Sequence, residues 1–151
     1  STVHANDAPG TITRLLDIGI APFLVGSCLN LVMAQRLVRR ICNNCKEEYS
    51  ATPEELAMIG LDPGRVTDAL YHGKGCTECR NTGYKGRLAI FEMIPMAREL
   101  RKLVFESANE DDIRQAALNN GMVTLREAGL ARVLDGTTTP EEILRSTVED
   151  L

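Results

Sequence analysis

The spacing of apolar residues divides the chain into short segments, and many of them begin and end on recognisable stop and start residues. Ser1-Thr2-Val3-His4 reads as the end of a strand. Asp7 then stands as an N-cap with Pro9 in the first turn, and Ile12, Leu15 and Leu16 share one face before Gly19, which predicts a helix ended by glycine. Pro22 opens a second helix, over 22–34. It is apolar on nearly every side, which predicts burial, with Cys28 in Phe23-Leu24-Val25-Gly26-Ser27-Cys28-Leu29 as a small buried hydrophobe. Residues 37–41 form a short strand candidate. Thr52-Pro53-Glu54-Glu55 is a capping box opening a one- or two-turn helix that Gly60 closes. Residues 61–75 read as loop, with a brief helix or turn over 66–70. A glycine-punctuated turn over 82–87 feeds a strand over 88–94, which Pro95 stops.

The rest reads as short amphipathic helices. Leu100, Leu103 and Val104 line the first. Asn109 caps a second that buries Ile113, Ala116 and Ala117 and stops at Gly121. Thr124 with Glu127 opens a third, with Leu125, Ala128, Ala131 and Leu134 inside and Gly136 as its end. Thr139-Pro140-Glu141-Glu142 opens the last, which carries Ile143 and Leu144. No fixed-period repeat is present. The pattern is that of an α/β chain, mostly helical.

Composition refines this picture. Of 151 residues 44% are hydrophobic, enough for a core, while 4% aromatics and no Trp make that core aliphatic. The longest apolar stretch, over 18–34, is broken by Pro22, Gly26 and Asn30, so no segment is expected to span a membrane. The first residues are polar and carry no export signal. The net charge is −4, yet basic residues gather near the cysteines: Arg36, Arg39, Arg40 and Lys46, then Lys74, Arg80, Lys85 and Arg87. Such a rim is the footprint of a nucleic-acid surface. Here it lacks interleaved aromatics beyond Tyr84 and the chain is acidic overall, which suits a solvated or subunit-facing rim.

The strongest chemical signal is a pair of CxxC motifs, Cys42-Asn43-Asn44-Cys45 and Cys76-Thr77-Glu78-Cys79. Each brings two thiols to one point, and four thiolates satisfy a tetrahedral Zn²⁺. The insert over 46–75 is longer than in the commonest two-pair pattern. A disulfide framework competes, but five cysteines leave one unpaired, and the composition is that of an ordinary globular protein. His72, four residues before Cys76, is an alternative ligand that two complete pairs do not need. A site filled by four protein ligands is structural, and free thiols point to a reducing, cytoplasmic setting.

Several segments together resemble a known family. Ser1-Thr2-Val3-His4-Ala5-Asn6-Asp7-Ala8-Pro9 resembles the histidine box of secretion ATPases, the hexameric motors of type IV pilus assembly and type II secretion. Ala34-Gln35-Arg36-Leu37-Val38-Arg39-Arg40-Ile41-Cys42 is similar to the strand leading into their tetracysteine zinc element. Gly83-Tyr84-Lys85-Gly86-Arg87 and Leu134-Asp135-Gly136-Thr137-Thr138-Thr139-Pro140-Glu141-Glu142 resemble their later signatures. Asn6-Asp7-Ala8-Pro9 leans toward the pilus-extension branch. One feature departs from the family: no G-x-x-x-x-G-K-[ST] phosphate loop occurs. In the family that loop precedes the histidine box, so the resemblance implies the C-terminal part of such a motor, without appreciable ATP hydrolysis in isolation.

The resemblance further implies an organisation and a set of roles. Residues 1–41 would be the C-terminal piece of a RecA-like nucleotide-binding domain, 42–87 an inserted tetracysteine zinc element, and 88–151 a strand with a C-terminal helical bundle. His4 would approach the γ-phosphate side of the nucleotide with Asn6 supporting it, and Arg14, Arg36 and Arg39 would contact phosphate or a neighbouring subunit. Structural Zn²⁺ at Cys42, Cys45, Cys76 and Cys79, with ATP and Mg²⁺ in the full-length protein, would be the cofactors. The partners would be identical subunits in a hexamer and an inner-membrane platform protein. The motor would be cytoplasmic, peripheral to the membrane through that partner, with no membrane insertion and no nucleic acid. Two other classes stay open at this point. One is a free-standing zinc-ribbon adaptor or nucleic-acid-binding module; the other is a CxxC redox protein, which two motifs disfavour.

Overall fold

The computed structural model describes residues 1–61 and 69–147, which contain seven α-helices, four β-strands and one 3₁₀ turn. In chain order these are α1 (Ala8–Asp17), α2 (Pro22–Cys28), β1 (Leu31–Ile41), β2 (Lys46–Tyr49), α3 (Pro53–Met58), β3 (Leu70–Gly73), the 3₁₀ turn (Thr77–Cys79), β4 (Tyr84–Pro95), α4 (Arg98–Phe105), α5 (Glu110–Asn119), α6 (Leu125–Leu134) and α7 (Pro140–Ser146). β1 pairs with β4, and β2 with β3. The β2–β3 pair is antiparallel, with Lys46 opposite Gly73 and Tyr49 opposite Leu70. Met96 donates to the Asn30 carbonyl beyond one end of the β1–β4 pair and Cys42 donates to that of Gly83 beyond the other, so this pair is antiparallel too. The α/β class, with helix outweighing strand, is the one the sequence predicts. By packing, the chain divides into two compact units, residues 1–35 with 91–125 and residues 36–90 with 126–151.

The first unit is built on α1, α2, α4 and α5. Its core joins Ala8, Ile12, Val25, Ile94, Leu100, Val104, Ile113 and Ala117, among others. The Asp7 carboxylate accepts from the Gly10 amide at 2.8 Å, and Gly19 takes φ +90° past the end of α1, as the sequence predicts. Asn109 likewise caps α5, accepting from Asp112 at 2.9 Å. α2 lies close to α4 because Gly26 has no side chain; a Cβ there would stand 2.7 Å from Cε1 of Phe105.

Three expectations for this unit are corrected. The helix predicted over 22–34 stops at Cys28, and Leu31 opens β1. A short apolar run fits helix and strand equally, and pairing with β4 decides for strand. α2 is therefore a short helix covered only on its Val25 and Gly26 face, and Phe23, Leu24 and Cys28 are exposed. Cys28 is not the buried hydrophobe expected. Residues 1–5 carry no regular structure, since no strand among the described residues pairs with them.

The second unit holds β2, β3, α3, α7 and nearly all of α6. The capping box at Thr52 forms as read, with Glu55 donating to Thr52 Oγ1 at 3.2 Å and Thr52 donating to Glu55 Oε2 at 2.9 Å. Thr139 Oγ1 accepts from the Glu142 amide at 3.2 Å to cap α7. β2 and β3 were not anticipated: Leu70 begins a strand and Ala69 has no regular structure, while residues 66–68 of the predicted turn lie outside the described residues. Tyr84 to Arg87 belong to β4, so the glycine turn is shorter than predicted. In α6 the buried positions are Leu125, Gly129 and Val133, whereas Ala131 and Leu134 are exposed. Steps of three residues fall about 60° short of a turn each, so Leu134 ends up opposite Leu125.

Candidate metal centre

The CxxC pairs meet. The Sγ atoms of Cys42, Cys45, Cys76 and Cys79 all lie within 4.8 Å of one another. Cys42 and Cys76 are 3.8 Å apart, Cys45 and Cys79 3.8 Å, and Cys76 and Cys79 3.7 Å. A disulfide holds its sulfurs about 2.05 Å apart, so the thiols are free and the disulfide framework does not form. Four sulfurs about 2.3 Å from a central Zn²⁺ would stand about 3.8 Å apart along each tetrahedral edge. The donor set and its spacing fit that ion.

Local structure explains the convergence. β1 delivers Cys42, and Cys45 donates its amide to the Cys42 carbonyl at 3.2 Å to close the first turn. β3 then returns the chain, and Lys74 donates to the Cys45 carbonyl at 3.0 Å. After the 3₁₀ turn, Arg80 and Asn81 take φ +54° and +59°, and Asn81 donates to the Cys76 carbonyl at 2.8 Å. Three backbone amides aim at sulfur: Gly75 at Cys45 (3.3 Å), and Cys76 (3.2 Å) and Gly83 (3.3 Å) at Cys79. Such donors orient thiolates and stabilise their charge. Gly73 and Gly83 cross so closely that a Cβ on Gly73 would stand 2.0 Å from the Gly83 carbonyl oxygen.

Electrostatics inside the cluster are uneven. Burial opposes ionisation of Cys79, but the amides of Cys76 and Gly83, with the neighbouring thiols, hold it down to about 6. Burial pushes Cys45 up to about 12 against the single amide of Gly75. Four thiols this close cannot all lose their protons unless a cation balances them. His72 is not among the converging groups; its ring meets that of Tyr49 edge-on, 5.1 Å between centroids. Beside the cluster a groove of about 270 Å³ is lined by Arg40, Asn43, Asn44, Glu78 and Lys85. Part of the basic rim is already paired, Lys85 with Glu78 at 2.6 Å and Lys74 with Glu47 at 3.0 Å.

A family profile described as "Type II/IV secretion system protein" matches residues 1–145. The chain belongs to this family. It is 44% identical over 99% of its length to the type IV pilus assembly ATPase PilB of Myxococcus xanthus, covering 27% of that protein. It is 43% identical over 99% of its length to the type II secretion system protein E of Pseudomonas aeruginosa, covering 30% of it. With PilB of Thermus thermophilus the identity is 44% over 99% of this chain and 17% of the relative. The chain thus spans less than a third of the length of these relatives.

In this secretion-family chain none of the remaining predicted site residues belongs to the cysteine cluster. His4 and Asn6 are exposed in the stretch before α1, and Arg14 is exposed on α1. Arg36 is half-buried on β1. Arg39 is engaged within its own unit: its Nη2 lies 2.7 Å from Glu142 Oε2, and its guanidinium stacks 4.0 Å from the centre of the Tyr84 ring. Two carboxylates escaped the sequence reading. Glu142 is fully buried between Arg39 and Arg145, and Glu92 is buried in β4. Glu142 was visible only as the end of a capping box, and no local pattern joins it to an arginine 103 positions away. No helix among the described residues is long and apolar enough to cross a membrane.

Proposed function

We propose that this chain is the C-terminal portion of a cytoplasmic hexameric ATPase that powers type IV pilus assembly or type II protein secretion. The observation that carries the reading is the identity of 43–44%, over 99% of the chain, to proteins named as a pilus assembly ATPase and a type II secretion protein E. Residues 1–41 then complete a RecA-like nucleotide-binding domain, residues 42–87 form a zinc element, and residues 88–151 supply a strand and a helical bundle. The four-sulfur geometry supports structural Zn²⁺. When bound, that ion is saturated by thiolates, so it organises the element and performs no chemistry on a substrate.

In this reading ATP and Mg²⁺ bind to the preceding part of the longer protein, and His4 meets the γ-phosphate, where a hydrogen-bond donor stabilises charge developing in the transition state. Asn6 supports His4. Arg14 and Arg36 reach phosphate or a neighbouring subunit; Arg39 would have to exchange Glu142 for phosphate to do the same. The hexamer works against an inner-membrane platform protein and remains peripheral to the membrane, without nucleic acid. The chain carries no phosphate loop, so the 151-residue chain alone is expected to hydrolyse no appreciable ATP.

The test is ATP turnover of the longer protein that includes the phosphate loop. His4→Ala is expected to lower kcat by about 10²–10³-fold, the scale of losing one transition-state donor. A longer protein without ATPase activity, or one whose kcat ignores His4→Ala, overturns the reading.

A further inference from the structure

We propose that Glu92 is a positioning residue that fixes the segment carrying His4 and Asn6, an inference that rests on the role given to His4 above. Glu92 sits on β4 and is 2% exposed. Its Oε1 accepts from the Ala8 amide at 2.8 Å, and its Oε2 accepts from the Leu125 amide at 3.1 Å. Ala8 is the first residue of α1 and Leu125 the first of α6. The leading amides of a helix have no partner within it and are ordinarily met by a local cap or water. Here one buried carboxylate, 84 positions from Ala8, meets the first amide of two helices. A negative charge is favoured at both of these helix N-termini by the helix dipoles.

The beginning of α1 is held from further directions within the same unit. Asp7 accepts from Gly10 and is paired with Arg114 at 2.8 Å, and Arg114 also bonds Glu110 at 2.6 Å. Burial pushes the Glu92 carboxyl above its ordinary range, opposed by the Ala8 and Leu125 amides; Asp7 raises it further and Arg114 lowers it. Residues 1–5, which include His4, have no regular structure of their own. The junction with α1, four residues beyond His4, is one hold on that segment, and Glu92 ties it to β4 as the Asp7–Arg114 pair ties it to α5. Local capping by Asp7 can start the helix, but it cannot tie the helix start to β4. A displacement of about 1 Å in a catalytic group costs on the order of 10²-fold in rate.

Two measurements test this. In the 151-residue chain, residue-resolved amide exchange of Glu92→Ala is expected to rise at Ala8 and Leu125 by at least about 10-fold, with Gly75 and Gly83 unchanged. Should Glu92→Ala fail to fold, Glu92→Gln replaces it: one carbonyl oxygen serves one amide, so at least one of the two loses protection. Unchanged exchange at both overturns the anchor. In the longer protein, kcat of Glu92→Gln is expected to fall by about 10–100-fold, with KM for ATP unchanged. Combined with His4→Ala, it is expected to lower kcat no further. Losses that multiply, or a change in KM alone, overturn the positioning role. If the wild-type longer protein hydrolyses no ATP, the motor reading fails, and exchange at Ala8 still decides whether Glu92 holds the segment.

Discussion

Glu142 is fully buried, and both of its oxygens meet arginine. Its Oε1 accepts from the Arg39 amide at 3.0 Å and from Arg145 Nη2 at 2.8 Å, and its Oε2 accepts from Arg39 Nε at 2.8 Å. Arg39 is itself fixed by the Tyr84 ring, and the Tyr84 hydroxyl lies 2.7 Å from Thr139 Oγ1 at the start of α7. A guanidinium can fork onto a carboxylate while stacking on an aromatic face, which a lysine cannot reproduce. Burial opposes the charge on Glu142, but the bonds from Arg39 and Arg145 prevail and hold its carboxyl at about 2. An unfolded glutamate titrates near about 4.3, so between these values the unfolded chain binds the extra proton. The stabilisation is therefore complete above about pH 5 and is lost as pH falls toward 2. Glu142→Gln is expected to cost about 2 kcal/mol at pH 7, and the gap to wild type should close as pH is lowered through 4 to 2. Urea unfolding at several pH values reads this directly; a gap that stays constant from pH 7 to 3 would refute it.

At the scale of elements, the cysteine site depends on two backbone segments that touch where side chains are absent. A Cβ on Gly73 would strike the Gly83 carbonyl, and Gly83 both accepts from the Cys42 amide at 2.9 Å and donates to Cys79 Sγ at 3.3 Å. Gly73→Ala must push β3 away from that turn and disturb two thiol positions. Its zinc affinity is expected to fall by about 10–100-fold, the range for lost supporting contacts around a metal. Competition against a chromophoric chelator measures it, and an affinity equal to wild type would show that the crossing is incidental. The sequence displayed this site only in part. CxxC spacing marked all four sulfurs, because ligand pairs are local, but Gly73 lies in a strand that no pattern announces. β2 is Lys46-Glu47-Glu48-Tyr49, without apolar alternation, and it forms because β3 supplies its backbone partners. Helix starts at Asp7, Thr52, Asn109 and Thr139 were legible because caps act within three residues. The extents of α2 and β1 were not, since long-range pairing decides them. Arg39 with Glu142, and Glu92 with Ala8 and Leu125, were invisible for the same reason.

At the scale of the whole molecule, both units bury aliphatic side chains, Val38, Leu70, Ile90, Val133 and Ile143 among them in the second, and the sulfur cluster is the part that differs. The first has an aliphatic core of twelve buried residues. Around the sulfurs, the buried cluster consists of Cys42, Cys45 and Cys79 with Cys76 packed against them, and among the described residues no aliphatic one joins it. Burial alone supplies little there, whereas a structural Zn²⁺ contributes about 10–16 kcal/mol of apparent binding free energy. Removing the metal is thus expected to disorder residues 42–45 and 73–83 while the helices of the first unit persist. Thiol counting gives a sharp readout, because Cys28 is exposed and the other four cysteines would be ligands. A disulfide reagent such as DTNB is expected to find one reactive thiol in the zinc-loaded chain and all five after strong chelation. The helical circular dichroism should fall only partly. Zinc should also leave as acid protonates the thiolates, since metal and proton compete for the same sulfur. Five reactive thiols before chelation, with no zinc in the purified chain and an unchanged fold in chelator, would mean that the sulfurs converge without a metal to hold.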